Sequence, residues 1–508
     1  MTLLLLPACQ PTLPLQPPPD QIGEHDTGDT GDTADTGEPE VLAEYMNEDD
    51  LWTHLEALAE IARENGDTRA WTSPGHIDST AYVLGQLEGA GYTPWMDLHT
   101  YEKQVNEEVG LAIAGEEPWV YTEDYAVMSG SGSGELISTL TGVDLTIPPG
   151  EEANTSDSGC EAEDFAGFPA GDIALIQRGT CSFADKVQNA LDAGAVAVLI
   201  FNEGQPGRRE PVKGSLGRHF DVPVLGLSYE LGAELAETTA ELDIVLELGV
   251  EEFQLSNVIA ELPGDDRVVL IGAHLDSVSA GPGLNDNASG SVVVLELALQ
   301  LARLEVEDRP TVRFAWWDGE EYGLLGSYAY VESAGDELPD AYFNYDMVAS
   351  PNGAPFIYDG DGSADEGLAP SGSAVLEYAL QEGYEVQQLQ WEETGPYVPT
   401  DSWFFLEAGV ASSGIFTGAH EGLRQSLAET YGGDAAEAMD PCYHQLCDDL
   451  DNIHMPRMLE ATKAAAHALQ VVLEDPSAIG ERGQPGPELA PVLPGDLPHC
   501  GEEGMAKR

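Results

Sequence analysis

Positive charge is what this chain has least of. Nineteen Lys and Arg stand against 92 Asp and Glu, a formal net charge of −73. A surface of that sign repels phosphate backbones and anionic headgroups, so nucleic acid is excluded as a partner and so is electrostatic attachment to a membrane. Long apolar runs are missing too: no stretch reaches the roughly 18 residues that a membrane-crossing helix needs. Cysteine is scarce, six in 508 residues. What remains is ordinary for a globular protein. With 42% hydrophobic residues over this length, the chain buries a large core and divides into more than one domain.

The first basic residue is Arg63. Well ahead of it, Leu3–Leu6 run into Pro7-Ala8-Cys9, which resembles the cleavage box of bacterial lipoproteins, although the basic n-region is missing and the apolar stretch is short. A lipid on Cys9 is the one membrane contact the sequence predicts. Residues 10–43 are Pro-rich and then repeat Asp-Thr-Gly (Asp26-Thr27-Gly28, Asp29-Thr30-Gly31), too polar and acidic to pack, and read as a disordered stalk. Both features favour an extracytoplasmic location, lipid-anchored to the envelope or secreted. The other cysteines fall as Cys160 with Cys181, Cys442 with Cys447, and Cys500 alone. Cys442-Tyr-His-Gln-Leu-Cys447 also fits a metal motif, but beside an export signal a small-loop disulfide is favoured, and Cys160 with Cys181 reads the same way.

From Glu44 to about Tyr92 the pattern is helical, with Leu51, Leu55, Leu58, Ala59 and Ala62 on one face and a second helix from about Ile77 to Gly89. Residues 118–249 change texture to short β-rich runs, among them Ile173–Ile176, Val196–Phe201 and Pro223–Leu227, separated by Gly and Pro. This reads as an inserted domain. After Leu255 the order becomes βαβ: a strand over Val268–Ile271, a helix over Ser289–Leu304, a strand over Thr311–Trp317 and a helix from about Gly323. The fold class is α/β, a mixed and mainly parallel sheet flanked by helices. A last amphipathic helix, about Met455 to Leu473, precedes a Pro/Gly-rich tail read as unstructured.

Ligands of open α/β sheets gather beyond the carboxyl ends of strands. The residues there are of metal-binding type: His274 and Asp276 after one strand, Asp286 in the loop that follows, Glu320 and Glu321 after another, then Asp346, and His444 within the second cysteine pair. Two His among several carboxylates suit zinc better than calcium, which prefers oxygen alone.

In order, His274-x-Asp276, Gly-x-Asn-Asp286-Asn-x-Ser-Gly290, Glu320-Glu321-x-Gly-Leu-Leu-Gly-Ser327, Asn-Tyr-Asp346-Met and Asp440-Pro-Cys-Tyr-His444-Gln-Leu-Cys-Asp448 closely resemble the secreted bacterial co-catalytic zinc aminopeptidases of leucyl-aminopeptidase type. The resemblance covers about Glu44 to Leu473 and includes the stretch Arg63–Gly75. It implies the zinc-exopeptidase fold, two Zn2+ per chain, and peptide or protein N-termini as substrate. One zinc takes His274 and Asp346, the other Glu321 and His444, and Asp286 bridges them. Glu320 is the implied general base for a zinc-activated water, Asp276 orients the His274 imidazole, and Tyr443 steadies the oxyanion. The insert, through Gly159-Cys160, Gly171–Gly179, Cys181–Val187 and Ala193-Gly-Ala195, resembles a β-rich α+β protease-associated domain, which implies either a lid or substrate-selecting wall over the site or a passive decoration that adds stability, two roles the sequence does not separate. The chain then divides into a signal (1–9), stalk (10–43), peptidase domain in two parts (44–117 and 250–475), insert (118–249) and flexible tail (476–508).

One segment departs from the family. Thr400-Asp401-Ser402 stands where many relatives read Ser-Asp-His, and Pro399 replaces a basic residue that helps position substrate in some members. These changes bear on specificity, with Trp403 a candidate pocket wall, and are expected to leave the metal site alone. His420 reads as structural rather than as a ligand. A carboxypeptidase of the same fold needs a basic cluster that this chain does not evidently carry, a glutaminyl cyclase uses one zinc, and an inactive surface receptor would have lost ligands. Oligomeric state has no signature here.

Overall fold

The computed structural model describes residues 41–150, 152–304, 309–364 and 369–480. Cys9, the stalk as far as residue 40, Cys500 and the tail beyond residue 480 lie outside the described residues. Packed chain starts earlier and ends later than the sequence reading places it. Leu42 is buried in a short turn over Leu42–Tyr45, and a turn over Pro476–Ile479 buries Ile479, with Arg267 donating to the carbonyls of Pro476 and Gly480.

Helix α1 (Glu48–Glu64) is started by Asn47, whose side chain accepts from Asp50 N, with three acids in its first turn facing the positive end of the helix dipole. Its Leu51, Leu55, Leu58 and Ala62 are buried, the face its spacing predicts. Helix α2 (Pro74–Gly89) begins three residues before the expected Ile77, because Ser73 caps it and Pro74 takes the first position.

Strand β1 (Trp95–Ile113) pairs antiparallel with the later β7 (Glu241–Leu262), from Trp95 opposite Ile259 to Ile113 opposite Leu242. Between them the insert adds β2 (Tyr125–Val127), β3 (Gly134–Gly142), β4 (Ile173–Gln177), α3 (Phe183–Asp192), β5 (Ala197–Phe201), β6 (Val224–Leu227) and α4 (Tyr229–Leu235). β3, β4, β5 and β6 pair parallel in that order, β2 closes the far edge antiparallel, and β3 also pairs with β7. The long pair β1–β7 therefore runs without a linker from one sheet into the other.

The second sheet continues with β8 (Asp265–His274), α5 (Gly290–Leu301), β9 (Pro310–Trp317), α6 (Leu325–Ala334), β10 (Ala341–Tyr345), β11 (Phe356–Tyr358), α7 (Ser373–Glu385), β12 (Glu392–Thr394), α8 (Ser402–Glu407), β13 (Ala411–Phe416), α9 (Gln425–Tyr431) and α10 (Met455–Glu474). Its order is β12-β11-β13-β10-β8-β9-β7, with β13, β10, β8 and β9 mutually parallel. Alternation along the strands separates two cores. Val269, Ile271, Phe314 and Trp316 face a cluster shared with α1, α5, α7 and α10, while Leu270, Ala315 and Trp317 face one shared with α6 and α8. Disulfides join Cys160 to Cys181 and Cys442 to Cys447. No described helix is long and apolar enough to cross a membrane.

Candidate metal centre

The three central parallel strands end on the same side, and each is followed by acids or imidazole. His274 ends β8, Glu320 and Glu321 form a tight turn just after β9, and Asp346 follows β10. Asp286 sits in the turn Leu284–Ser289 that leads into α5, and His444 comes from the disulfide-closed loop before α10. Gly319, with φ 68°, turns the chain so that both glutamates point back at the strand ends.

These side chains converge as two groups that share one residue. His274 Nε2 lies 3.3 Å from Asp286 Oδ1 and 3.4 Å from Asp346 Oδ1. His444 Nε2 lies 3.0 Å from Asp286 Oδ2 and 3.1 Å from Glu321 Oε2. Each oxygen of Asp286 thus faces a different group. Glu320 Oε2 stands 4.0 Å from His274 Nε2 and belongs to neither. Tyr443 stacks on His444, ring centroids 3.8 Å apart. All eight residues the sequence singles out are therefore in one neighbourhood.

The electrostatics are those of a site short of positive charge. Burial pushes Glu321 up to about 8, with the like charge of Asp286 adding to it. Burial likewise carries Glu320 well above the carboxylate range, aided by Asp346, Glu321 and Asp401. Against the opposing effect of burial, Glu321 and Asp286 raise His444 to about 10, and Glu320 and Asp346 hold His274 well above its ordinary value. Glu321 Oε1 is buried with no partner, and although Glu321 Oε2 and His444 Nε2 approach to 3.1 Å they make no aligned hydrogen bond. Orphaned buried acceptors around two imidazole nitrogens fit a borderline cation held by mixed N and O donors, so the residues present fit zinc.

Neighbouring acids fasten the ligand-bearing turns to one another. Asp276 accepts the backbone N–H of Glu320 at 3.1 Å and of Glu321 at 3.3 Å, while the acceptor nearest His274 Nδ1 is the Asp276 backbone carbonyl at 3.1 Å. Its carboxylate, 3.6 Å from Nδ1, chiefly sets the glutamate turn. Asp318 anchors that turn to α2 and β7: it lies 3.0 Å from His76 Nε2 and accepts Ser256 N at 2.7 Å. Asp448 accepts the backbone N–H groups of Asn285 and Asp286, tying the His444 loop to the shared residue.

The Thr400 segment reaches the metal site through a hydroxyl, a group that the Ser of many relatives would also supply. Thr400 Oγ1 donates to Asp346 Oδ2 at 2.5 Å and accepts from Asn344 Nδ2 at 2.9 Å. Asn344 accepts from Tyr342 OH, which accepts from Trp317 Nε1, so a hydrogen-bond chain runs from β9 through β10 to Asp346. Trp403 packs on Tyr397, and His420, with a half-exposed side chain, stacks on Tyr443 outside both metal groups. A third acidic group, Asp359, Asp361 and Glu377, lies apart from these. Asp359 there is saturated by backbone N–H groups of residues 361–364.

The profile of Peptidase family M28 matches residues 257–469, and that of the PA domain matches 144–235. An aminopeptidase of Pseudomonas aeruginosa is 39% identical over 451 residues, covering 85% of this chain and 83% of that protein. The chain belongs to peptidase family M28. Leucine aminopeptidase 2 of Trichophyton tonsurans is 35% identical over 435 residues, 83% of each chain. An aminopeptidase from Aneurinibacillus sp. strain AM-1 shares the fold at a TM-score of 0.60, with 24% identity over 88% of this chain and 96% of that one. The zinc aminopeptidase BSAP of Bacillus subtilis shares it at 0.55, with 23% identity over 84% and 95%. This M28 peptidase is thus a peptide-bond hydrolase of mixed α/β fold with a PA domain set into it, as the motifs imply.

Proposed function

We propose that this M28 peptidase is an extracytoplasmic dizinc aminopeptidase that removes N-terminal residues from peptides. The observation that carries the reading is Asp286, with one oxygen toward His274 and Asp346 and the other toward His444 and Glu321. In this reading His274 and Asp346 would hold one zinc and Glu321 and His444 the other, with Asp286 common to both groups. Zinc, when bound, supplies Lewis acidity to water and to the scissile carbonyl. Glu320 takes a proton from the attacking water at its carboxylate and returns it to the leaving amine nitrogen. Asp276 keeps that carboxylate aimed by gripping the backbone of the glutamate turn. The Tyr443 hydroxyl donates to the oxygen that gains negative charge in the tetrahedral state.

The location rests on the lipoprotein-like Cys9 and on two disulfides of a kind that persist in oxidising compartments. The test is the full chain assayed on aminoacyl-anilides against N-blocked and C-terminal reporter peptides, with zinc counted per chain. About two zinc ions and cleavage confined to free-amine substrates are expected, with Glu320→Gln lowering kcat by roughly 10²- to 10⁴-fold at unchanged zinc content. Cleavage of N-blocked peptides, or full activity in Glu320→Gln, refutes it.

A further inference from the structure

Arg69 has no exposed surface, and the reaction proposed above does not use it. It lies in the Arg63–Gly75 stretch, just ahead of α2. A buried guanidinium is costly unless its donors are met. Here Nε donates to Pro282 O at 2.9 Å, Nη2 to Gly283 O at 2.6 Å and Nη1 to Leu275 O. All three acceptors are main-chain carbonyls, at the two ends of one loop. Leu275 directly follows His274, and Pro282 and Gly283 shortly precede Asp286.

The neighbouring backbone is fastened along the same loop. Arg69 N donates to Ser277 Oγ at 3.0 Å, Ser277 N donates to Arg69 O at 3.3 Å, and Thr68 Oγ1 donates to Val278 O at 3.1 Å. Gly283 closes over the guanidinium with φ 65°. A Cβ there would stand 2.3 Å from Asp286 O and 3.2 Å from Arg69 Nη2.

We infer that Arg69 is a positioning residue that fixes the span between His274 and Asp286, and with it their 3.3 Å approach, before any ion arrives. The inference rests on the reading of those two side chains as zinc ligands. Two roles for a buried cation at this place have opposite signs. A positive charge beside the ligands, acting alone, weakens zinc binding, whereas a brace that pre-orients them strengthens it.

Removing the side chain tells the two apart. Full-length Arg69→Met and Arg69→Lys would be compared with the parent for zinc retained against graded chelator and for kcat and KM per zinc-loaded chain. Amide hydrogen exchange of residues 275–286 would be followed in the zinc-free protein. The brace predicts zinc release from Arg69→Met at roughly 10- to 100-fold less chelator, a lower kcat with KM near that of the parent, and faster exchange confined to the loop. Lys keeps the charge but cannot span three carbonyls, so it recovers little. Tighter zinc binding in Arg69→Met, or unchanged retention and exchange, overturns the inference. Should both variants fail to fold, Thr68→Val decides: roughly threefold easier zinc release and faster loop exchange are expected, and unchanged values overturn it. If the parent chain binds no zinc, the reading of the metal centre fails, and loop exchange in the zinc-free chain still judges the brace.

Discussion

Thr400 and Asp346 are far apart in the chain, yet one hydroxyl joins them and orients the carboxylate from the side away from His274. Thr400→Val keeps the shape, removes the donor to Asp346 and leaves Asn344 Nδ2 without its acceptor. A buried donor stripped of its partner costs about 1–3 kcal/mol. The expected outcome is that loss in denaturant unfolding together with roughly tenfold easier zinc release, read by chelator titration. Parent-like values in both would show that the chain from Trp317 to Asp346 is incidental. The same contrast explains what the sequence made legible at this scale. His274, Glu320, Glu321 and Asp346 were readable because each directly follows a strand that hydrophobic runs announce. Thr400, Asp448 and Arg69 lie in stretches the motifs already mark, but what each touches, like the contact of His76 with Asp318, is made only by the folded chain.

Between elements, the pairing of α1 with α5 carries a titratable contact. His54 Nε2 lies 2.9 Å from Glu296 Oε1, Gln300 donates to the other oxygen, and Tyr82 OH meets His54 Nδ1 at 2.6 Å. Burial alone raises the pKa of Glu296, but the hydrogen bonds from His54 and Gln300 outweigh it and hold the carboxyl below its ordinary value. A depressed carboxyl stabilises the fold above its unfolded pKa, near 4.3, and loses that contribution as pH falls through the folded value. Glu296→Gln should therefore lower the melting temperature by a few degrees, for about 1–2 kcal/mol, at pH 6 to 7. The difference should shrink toward zero as the pH is taken below about 4. A difference that grows on acidification contradicts the assignment. Among the elements, periodicity marks α1, α2 and α10 and apolar runs mark β4, β5, β6, β8 and β9, whereas α7, α8, α9, β10 and β13 carry no comparable signal. The ribbon β1–β7 carries none either: residues 247–254 are largely exposed on both faces, so the two-residue alternation that marks a half-buried strand fades there.

For the molecule as a whole, the net charge of −73 makes self-repulsion a global cost of compactness. With only nineteen cations there is little ion pairing for salt to weaken, so screening should mostly help. Raising NaCl from about 0.01 M to about 0.5 M shortens the reach of the repulsion from roughly 30 Å to a few ångströms, and the melting temperature should rise by on the order of 5 °C. A melting temperature that falls with added NaCl would show that attractive pairs dominate. The ribbon has its own consequence at this scale. The chain leaves the peptidase sheet and returns to it along one ladder, Glu102 opposite Glu252, so the entire insert hangs on a two-strand stem. Near the stem's base Tyr101 and Phe253 pack on Trp71, which also packs on Tyr322, the residue after Glu321. A torque applied to the insert would travel along that ladder toward the aromatic cluster beside the glutamate turn.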